Sequence, residues 1–356
     1  MTGLSIGIAG AGLLGRLLAW RLARAGHCVS VFDPAPGPAP TFDGRQAAGY
    51  TAAGMLSPLA ELDNSSAEVA ALGWRSIALW RDTAAALRAQ PHFAERGSLL
   101  LAHRSDAGVA QRVLARLATA APGTPRARAL SVAALSQLEP ALQGAMQAWL
   151  LPGEGQIDCV ATMQALYDEA LGVRWHWQRA VTEVRPGELA FGVSPSQRFG
   201  LVFDVRGTGA RPALPVRGVR GELVWLHAPG HGLTRPLRLL HPRHRVYLVP
   251  RPGDVLLLGA SEIESEDRSP VSLKTAVELM SAAHSVLPAL AEARILRLDV
   301  NLRPALPDHE PRTEISSGIV RINGLFRHGW LLAPALVEDA LRACALVRST
   351  APEAVA

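Results

Sequence analysis

Cysteine is scarce in this chain. Its 356 residues hold three, Cys28, Cys159 and Cys344, an odd number set far apart. They match no disulfide framework and no metal-ligand spacing, so no disulfide-stapled scaffold and no metal site is expected. Charge is sparse too, at 19% of residues, with a net formal charge of +5. The arginines are scattered, which argues against a nucleic-acid-binding stripe and leaves only a mild pull on small anions. No apolar run reaches the roughly 18 residues that a membrane span requires, so no membrane partner is expected. The first residues carry no basic region and no cleavage site, so no secretory signal is read there and a cytoplasmic location is expected. No repeat of fixed period is visible. What the chain does have is apolar residues, 49% of the total. At this length they suffice for two packed cores.

The stretch 4–33 organises the rest. Leu4-Ser5-Ile6-Gly7-Ile8-Ala9 reads as a buried parallel strand. Gly10-Ala11-Gly12-Leu13-Leu14-Gly15 follows, a G-x-G-x-x-G. A helical pattern with Leu14, Leu17, Leu18 and Leu22 on one side ends near Gly26, a plausible C-cap. A second strand, 28–32, ends at Asp33, 18 residues beyond Gly15. In such a unit the first glycine permits the tight turn, the second admits a pyrophosphate and the third lets the helix pack on the strand. The helix N-terminus offers unpaired N–H groups to phosphate, and the acid accepts from a ribose. Gly10, Gly12, Leu14, Gly15 and Asp33 are therefore candidate nucleotide contacts. The pattern indicates a dinucleotide and leaves NAD or FAD open.

Beyond Asp33, residues 34–40 alternate proline with small residues and read as a loop. Residues 47–58, small and glycine-punctuated, allow backbone to approach a flat ring; the alternative is a tightly packed helix start. Helical patterns cover 65–89, 109–120, 131–138, 159–171 and 272–286, with Asp158 a candidate N-cap. Strands are read at 97–103, 148–151, 173–177, 180–184, 201–205, 295–302 and 319–323, with a hairpin over 245–259. Residues 206–210 form another glycine-rich loop after a strand, and 324–336 lead into a C-terminal helix running to about 347.

A nucleotide signature at the start, a strand, glycine turn and helix at the end, and a β-rich section between them imply an interrupted nucleotide fold. The expected class is α/β: a Rossmann-like FAD-binding domain built from discontinuous segments, 1–90, 153–215 and 300–356, plus an α+β substrate domain with an antiparallel sheet, 91–152 and 216–299. This order suits flavoproteins better than NAD dehydrogenases, whose nucleotide fold is usually contiguous.

With Ala52-Ala53-Gly54-Met55-Leu56, Tyr247-Leu248-Val249-Pro250-Arg251, Leu302-Arg303-Pro304 and Phe326-Arg327-His328-Gly329 before Leu331-Leu332-Ala333, the chain resembles the D-amino-acid oxidase superfamily of FAD enzymes. Within it, the chain is most similar to the glycine oxidases of thiamine biosynthesis, over nearly its whole length. Asp33 stands where that family more often has Glu, and His328 where some members have Asn.

The resemblance implies oxidative deamination of glycine, sarcosine or small D-amino acids. Hydride passes from the substrate Cα to flavin N5, and O2 reoxidises the flavin to give H2O2. Arg303 is implied as the carboxylate clamp, since a guanidinium donates two parallel bonds. Tyr247 adds a phenol donor. Arg327 is a second arginine near the substrate or flavin, or else paired with an acid. Ala53, Gly54, Met55, Gly207, Gly329, Leu331 and Leu332 are implied around the flavin, and the last helix offers its dipole to negative charge. His241, His244 and His328 are expected at the rim or in solvent. Sarcosine oxidases attach flavin through a cysteine near the segment corresponding to 306–310. None stands there, so FAD is expected to be non-covalent. Relatives are often homotetramers. The alternatives are a sarcosine or D-amino-acid oxidase, a dehydrogenase of the same superfamily, or a non-catalytic flavin-binding relative.

Overall fold

The opening run Ser5–Ala9 is buried from Ile6 onward, as a strand covered on both faces must be. In the computed structural model, which describes residues 3–144, 146–240 and 245–347, it lies inside a six-stranded sheet. The order is Arg312–Ser316, Ile319–Asn323, Leu201–Asp204, Ser5–Ala9, Cys28–Phe32, Arg174–His176. All neighbours are parallel except the first pair, a hairpin. Helices Leu13–Arg24, Ala67–Ala86, Cys159–Asp168 and Gly329–Ala343 share one core with this sheet, including Ile6, Ile8, Leu18, Trp80 and Val337. Each such side chain contributes about 1.5–3 kcal/mol by burial. A three-stranded antiparallel sheet, Glu183–Arg185, Glu188–Phe191 and Ser194–Arg198, covers the other face through Val184, Leu189 and Phe191.

The second large sheet has eight strands. Their order is Arg294–Ala305, Arg217–His227, Val255–Gly259, Arg245–Arg251, Leu237–Leu240, Ser98–His103, Met146–Leu151, Arg128–Leu130. One pair departs from the antiparallel expectation: Leu237–Leu240 runs parallel to Ser98–His103. Helix Leu273–Val286 packs on one face, setting Leu279, Ala283 and Val286 against Val224, Leu248 and Leu258. The opposite face carries Tyr247, Val249 and Leu257, packed with Ala53 and Met55. A small sheet of Met55–Leu56, Gly155–Ile157 and Phe93–Ala94 joins segments distant in sequence.

Helix starts follow local chemistry. Ser66, Ser131, Asp158 and Ser272 each accept from a backbone N–H three residues on, worth about 1 kcal/mol apiece. The helices Leu13–Arg24 and Gly329–Ala343 lack any side-chain cap. Gly26 takes a positive φ of 86° just past the first helix, as its position predicts. Several strands escape a sequence reading. Ser194–Arg198 and Arg312–Ser316 are mostly exposed and carry no alternating apolar signal. Among the described residues no helix is long and apolar enough to cross a membrane, and no cluster of three or more His, Cys, Asp or Glu could hold a metal.

Candidate active site

A continuous cavity of about 1470 Å³ starts at the carboxyl ends of the parallel strands and extends to the inner face of the eight-stranded sheet. Open α/β sheets bind ligands at this position. Gly10, Gly12, Leu14 and Asp33 line its first end. Gly10 has φ 105°, and a Cβ there would sit 2.8 Å from Val205 O. Gly15 does not line the cavity: a Cβ on it would fall 1.9 Å from Gly10 O, so this glycine serves helix-to-loop packing. Asp33 holds the loop as well as facing the cavity. Its Oδ2 accepts from Ala11 N at 2.6 Å and its Oδ1 from Ala35 N at 2.8 Å.

Arg16, in the helix after the glycines, gives no sequence signal of its role. It is 1% exposed and donates to Ala11 O, Met163 O and Pro38 O at 2.7–2.9 Å. Tyr50, Tyr167 and Trp177 surround its guanidinium. Desolvation lowers its pKa, partly offset by Tyr50 and Asp33. It thereby ties the glycine loop to the proline-rich loop and to helix Cys159–Asp168.

Further along, Ala53, Gly54, Met55, Gly207, Gly329 and Leu331 line the wall. Gly54 has φ 67°, and a Cβ there would meet Ile157 O at 2.0 Å. Arg251, the last residue of strand Arg245–Arg251 in the expected hairpin, fastens this loop. It is buried and donates to Ala53 O, to Ile157 O at 2.8 Å and to Gln156 Oε1 at 3.0 Å. The Leu332 side chain is fully buried in the core and does not line the cavity, so at this position only the helix N-terminus faces the cofactor side. One residue along a helix turns the side chain by about 100°, away from the side that Leu331 presents.

At the far end stand Tyr247, Arg303 and Arg327. Arg303 is half-buried and donates through Nη1 to Ser261 O at 3.0 Å and Arg220 O at 3.4 Å. Among the described residues it forms no ion pair, and its Nε and Nη2 make no hydrogen bond. Burial lowers its pKa, with Tyr247 and Glu262 opposing. The Tyr247 phenol is raised by burial, with Arg303 and Arg238 pulling it back. Arg327 differs from Arg303: it pairs with Glu61 at 3.0 Å and Glu262 at 3.4 Å, which favours the acid-paired reading.

Matches to known proteins follow this geometry. The family model described as FAD dependent oxidoreductase, DAO, matches residues 5–339. The chain belongs to that family. It is 35% identical over 335 residues to the putative thiamine biosynthesis oxidoreductase ThiO of Rhizobium etli, covering 94% of each chain. It is 26% identical to the bifunctional protein ThiO/ThiG of Nostoc sp., where 93% of this chain matches 52% of that one. The crystal structure of glycine oxidase from Geobacillus kaustophilus superposes with a TM-score of 0.84 at 24% identity, covering 99% of this chain and 98% of that one.

The cavity of this FAD-dependent oxidoreductase suits its cofactor. Two uncapped helix N-termini open into it, and FAD carries a pyrophosphate and a ring that bears negative charge when reduced.

Glu61, at the end of the short helix Pro58–Glu61, is the principal site residue that the sequence did not reveal. Its Oε1 accepts from Arg238 at 2.7 Å. Its Oε2 lies 3.0 Å from both Arg327 Nη2 and His328 Nε2. Burial works to raise the Glu61 carboxyl, but Arg238, His328 and Arg327 outweigh it and hold it well below the usual range. His328, expected at the rim, is 5% exposed and turned toward Glu61. His241 and His244 lie outside the described residues.

Proposed function

We propose that this FAD-dependent oxidoreductase oxidises a small amino acid, glycine first, with sarcosine and small D-amino acids as further substrates. One observation carries the reading. Of the guanidinium groups of Arg238, Arg303 and Arg327, which line the cavity with Tyr247, Arg238 and Arg327 are neutralised by Glu61 and Glu262, while Arg303 keeps its charge and its Nε–Nη2 edge for a ligand. A half-buried guanidinium without a counter-ion is costly, and a substrate carboxylate relieves that cost with two parallel bonds. The Tyr247 hydroxyl donates to the same carboxylate.

FAD, when bound, supplies the ring that accepts a hydride. The chain's own groups orient the substrate so that its Cα–H faces that ring. With Arg238 and Arg327 compensated, one positive charge remains at this end. It matches an amino acid whose carboxylate is ionised and whose amine is neutral. No general base is then required at the nitrogen. Gly329, Trp330 and Leu331 open the last helix in the cavity, and its N-terminal N–H groups favour negative charge there. At the other end, Asp33 takes the ribose hydroxyls and the Gly12 helix start takes the pyrophosphate. We assign segments 1–90, 153–215 and 300–356 to cofactor binding and 91–152 and 216–299 to the substrate side.

The likeness to ThiO proteins supports a role for the imine product in making the thiazole of thiamine. The test is H2O2 release in air. Glycine should release it and methylamine, which lacks the carboxylate, should not. Equal rates from both would remove Arg303 from substrate recognition.

A further inference from the structure

We propose that Gly221 and Gly259 are positioning residues: two bare notches in the eight-stranded sheet that seat Arg303 and Tyr247, and so set where the carboxylate is held. The proposal rests on the reading of Arg303 and Tyr247 as the carboxylate clamp.

The four strands concerned are neighbours, in the order Arg294–Ala305, Arg217–His227, Val255–Gly259, Arg245–Arg251. Arg303 and Tyr247 stand on the two outer members of this group, and both must reach inward to share one ligand. Arg303 is in register with Val219. Its side chain leans diagonally over Gly221, two residues along on the same face. Tyr247 is directly opposite Gly259.

A Cβ built on Gly221 would lie 2.4 Å from Arg303 Cζ and Nη2 and 2.5 Å from Nη1. A Cβ on Gly259 would lie 2.3 Å from Tyr247 Cζ and Oη. Real Cβ contacts essentially never fall below 3.0 Å. The guanidinium and the phenol therefore lie flat on naked backbone. Neither glycine has a positive φ, so φ is not what calls for glycine at either position. Glycine inside a strand weakens it and marks a close approach. Here the approach is made by the two clamp side chains. Lying flat, Arg303 also reaches Ser261 O with Nη1, and its Nε and Nη2 make no hydrogen bond among the described residues.

An alanine at 221 would have to lift the guanidinium from 2.4 Å to an ordinary 3.4 Å contact, a displacement of about 1 Å. Misplacement on that scale costs up to ~100-fold in a positioned reaction.

The experiment measures acetate binding to the FAD-loaded enzyme by the change in flavin absorbance, with melting temperature beside it, for wild type, Gly221→Ala, Arg303→Ala and the double variant. Gly221→Ala should weaken acetate at least about tenfold and leave flavin content unchanged, with little change in melting temperature, because the atoms it meets are the far end of the flexible Arg303 side chain. In the Arg303→Ala background the added alanine should change neither acetate affinity nor melting temperature, because nothing is left to displace. Wild-type acetate affinity in Gly221→Ala, or an equal loss in both backgrounds, overturns the proposal. If Gly221→Ala does not fold, folding of the double variant supports the notch, and failure of both refutes it. Wild-type affinity in Arg303→Ala instead sinks the clamp reading and takes the notch with it.

Discussion

Replacing Glu154 by glutamine should stabilise the protein at alkaline pH and do nothing for it in acid. Glu154 is fully buried behind the short helix Pro58–Glu61 that carries Glu61 to the cavity. Its Oε1 accepts from Ala60 N at 2.9 Å and its Oε2 from Ser98 Oγ. Burial pushes its carboxyl up from the ordinary 4.5 to about 7, although Arg238, Ser98, Ala60 and Ser57 oppose the shift. A carboxyl whose folded pKa is raised favours folding in its protonated form. That contribution is complete below pH 4.5, fades as pH rises and is gone above about pH 7. The gap of about 2.5 units at 1.36 kcal/mol each gives roughly 3 kcal/mol. Glutamine keeps the acceptor for Ala60 N and can donate to Ser98 Oγ, and it carries no charge at any pH. Urea unfolding of FAD-loaded wild type and Glu154→Gln, followed from pH 4.5 to pH 8, should show the two diverging by up to about 3 kcal/mol in favour of the variant. A stability difference that stays constant over that range would refute the reasoning.

Arg303→Lys keeps the charge and loses the two-donor edge, so kcat/KM for glycine should fall roughly ten- to a hundredfold, or about 1.5–3 kcal/mol. Arg303→Ala should fall further, with flavin content unchanged in both when read by absorbance. Asp33→Ala removes the carboxylate that holds Ala11 N and Ala35 N and that we propose accepts from the ribose. FAD affinity, titrated by fluorescence, should drop at least about tenfold while circular dichroism stays that of wild type. None of Cys28, Cys159 and Cys344 lines the cavity, so acid precipitation should release all flavin into the supernatant. Flavin retained in the pellet would show a covalent link.

Local signals made much of the site legible. The glycine loop, Asp33 and the uncapped helix at Gly329 are each read within a few residues of their neighbours. Tyr247 and Arg303 were reachable through family resemblance, and the cavity brings them together. Glu61 was not legible, because its partners Arg238 and Arg327 lie 177 and 266 residues away. A carboxylate at the end of a four-residue helix gives no periodic signal. The hairpin around Arg251 is legible from its Pro-Gly turn, but the reach of the Arg251 side chain back to Ala53 O is not, because the two lie 198 residues apart. A motif names Leu331 and Leu332 together, and only the helix phase separates the side chain that lines the cavity from the one in the core. His328 was put at the rim because the charge that draws it inward, Glu61, comes from the far end of the chain.

A bound amino acid is expected to deliver its electrons to the cofactor while Arg303 holds its carboxylate. The most direct measurement is stopped-flow mixing of the FAD-loaded enzyme with glycine in the absence of oxygen, beside methylamine at the same concentration. Glycine should bleach the flavin absorbance with a rate that saturates in glycine, and methylamine should leave it unchanged. A flavin that glycine, sarcosine and D-alanine all fail to reduce, or that methylamine reduces as fast as glycine, would contradict the account.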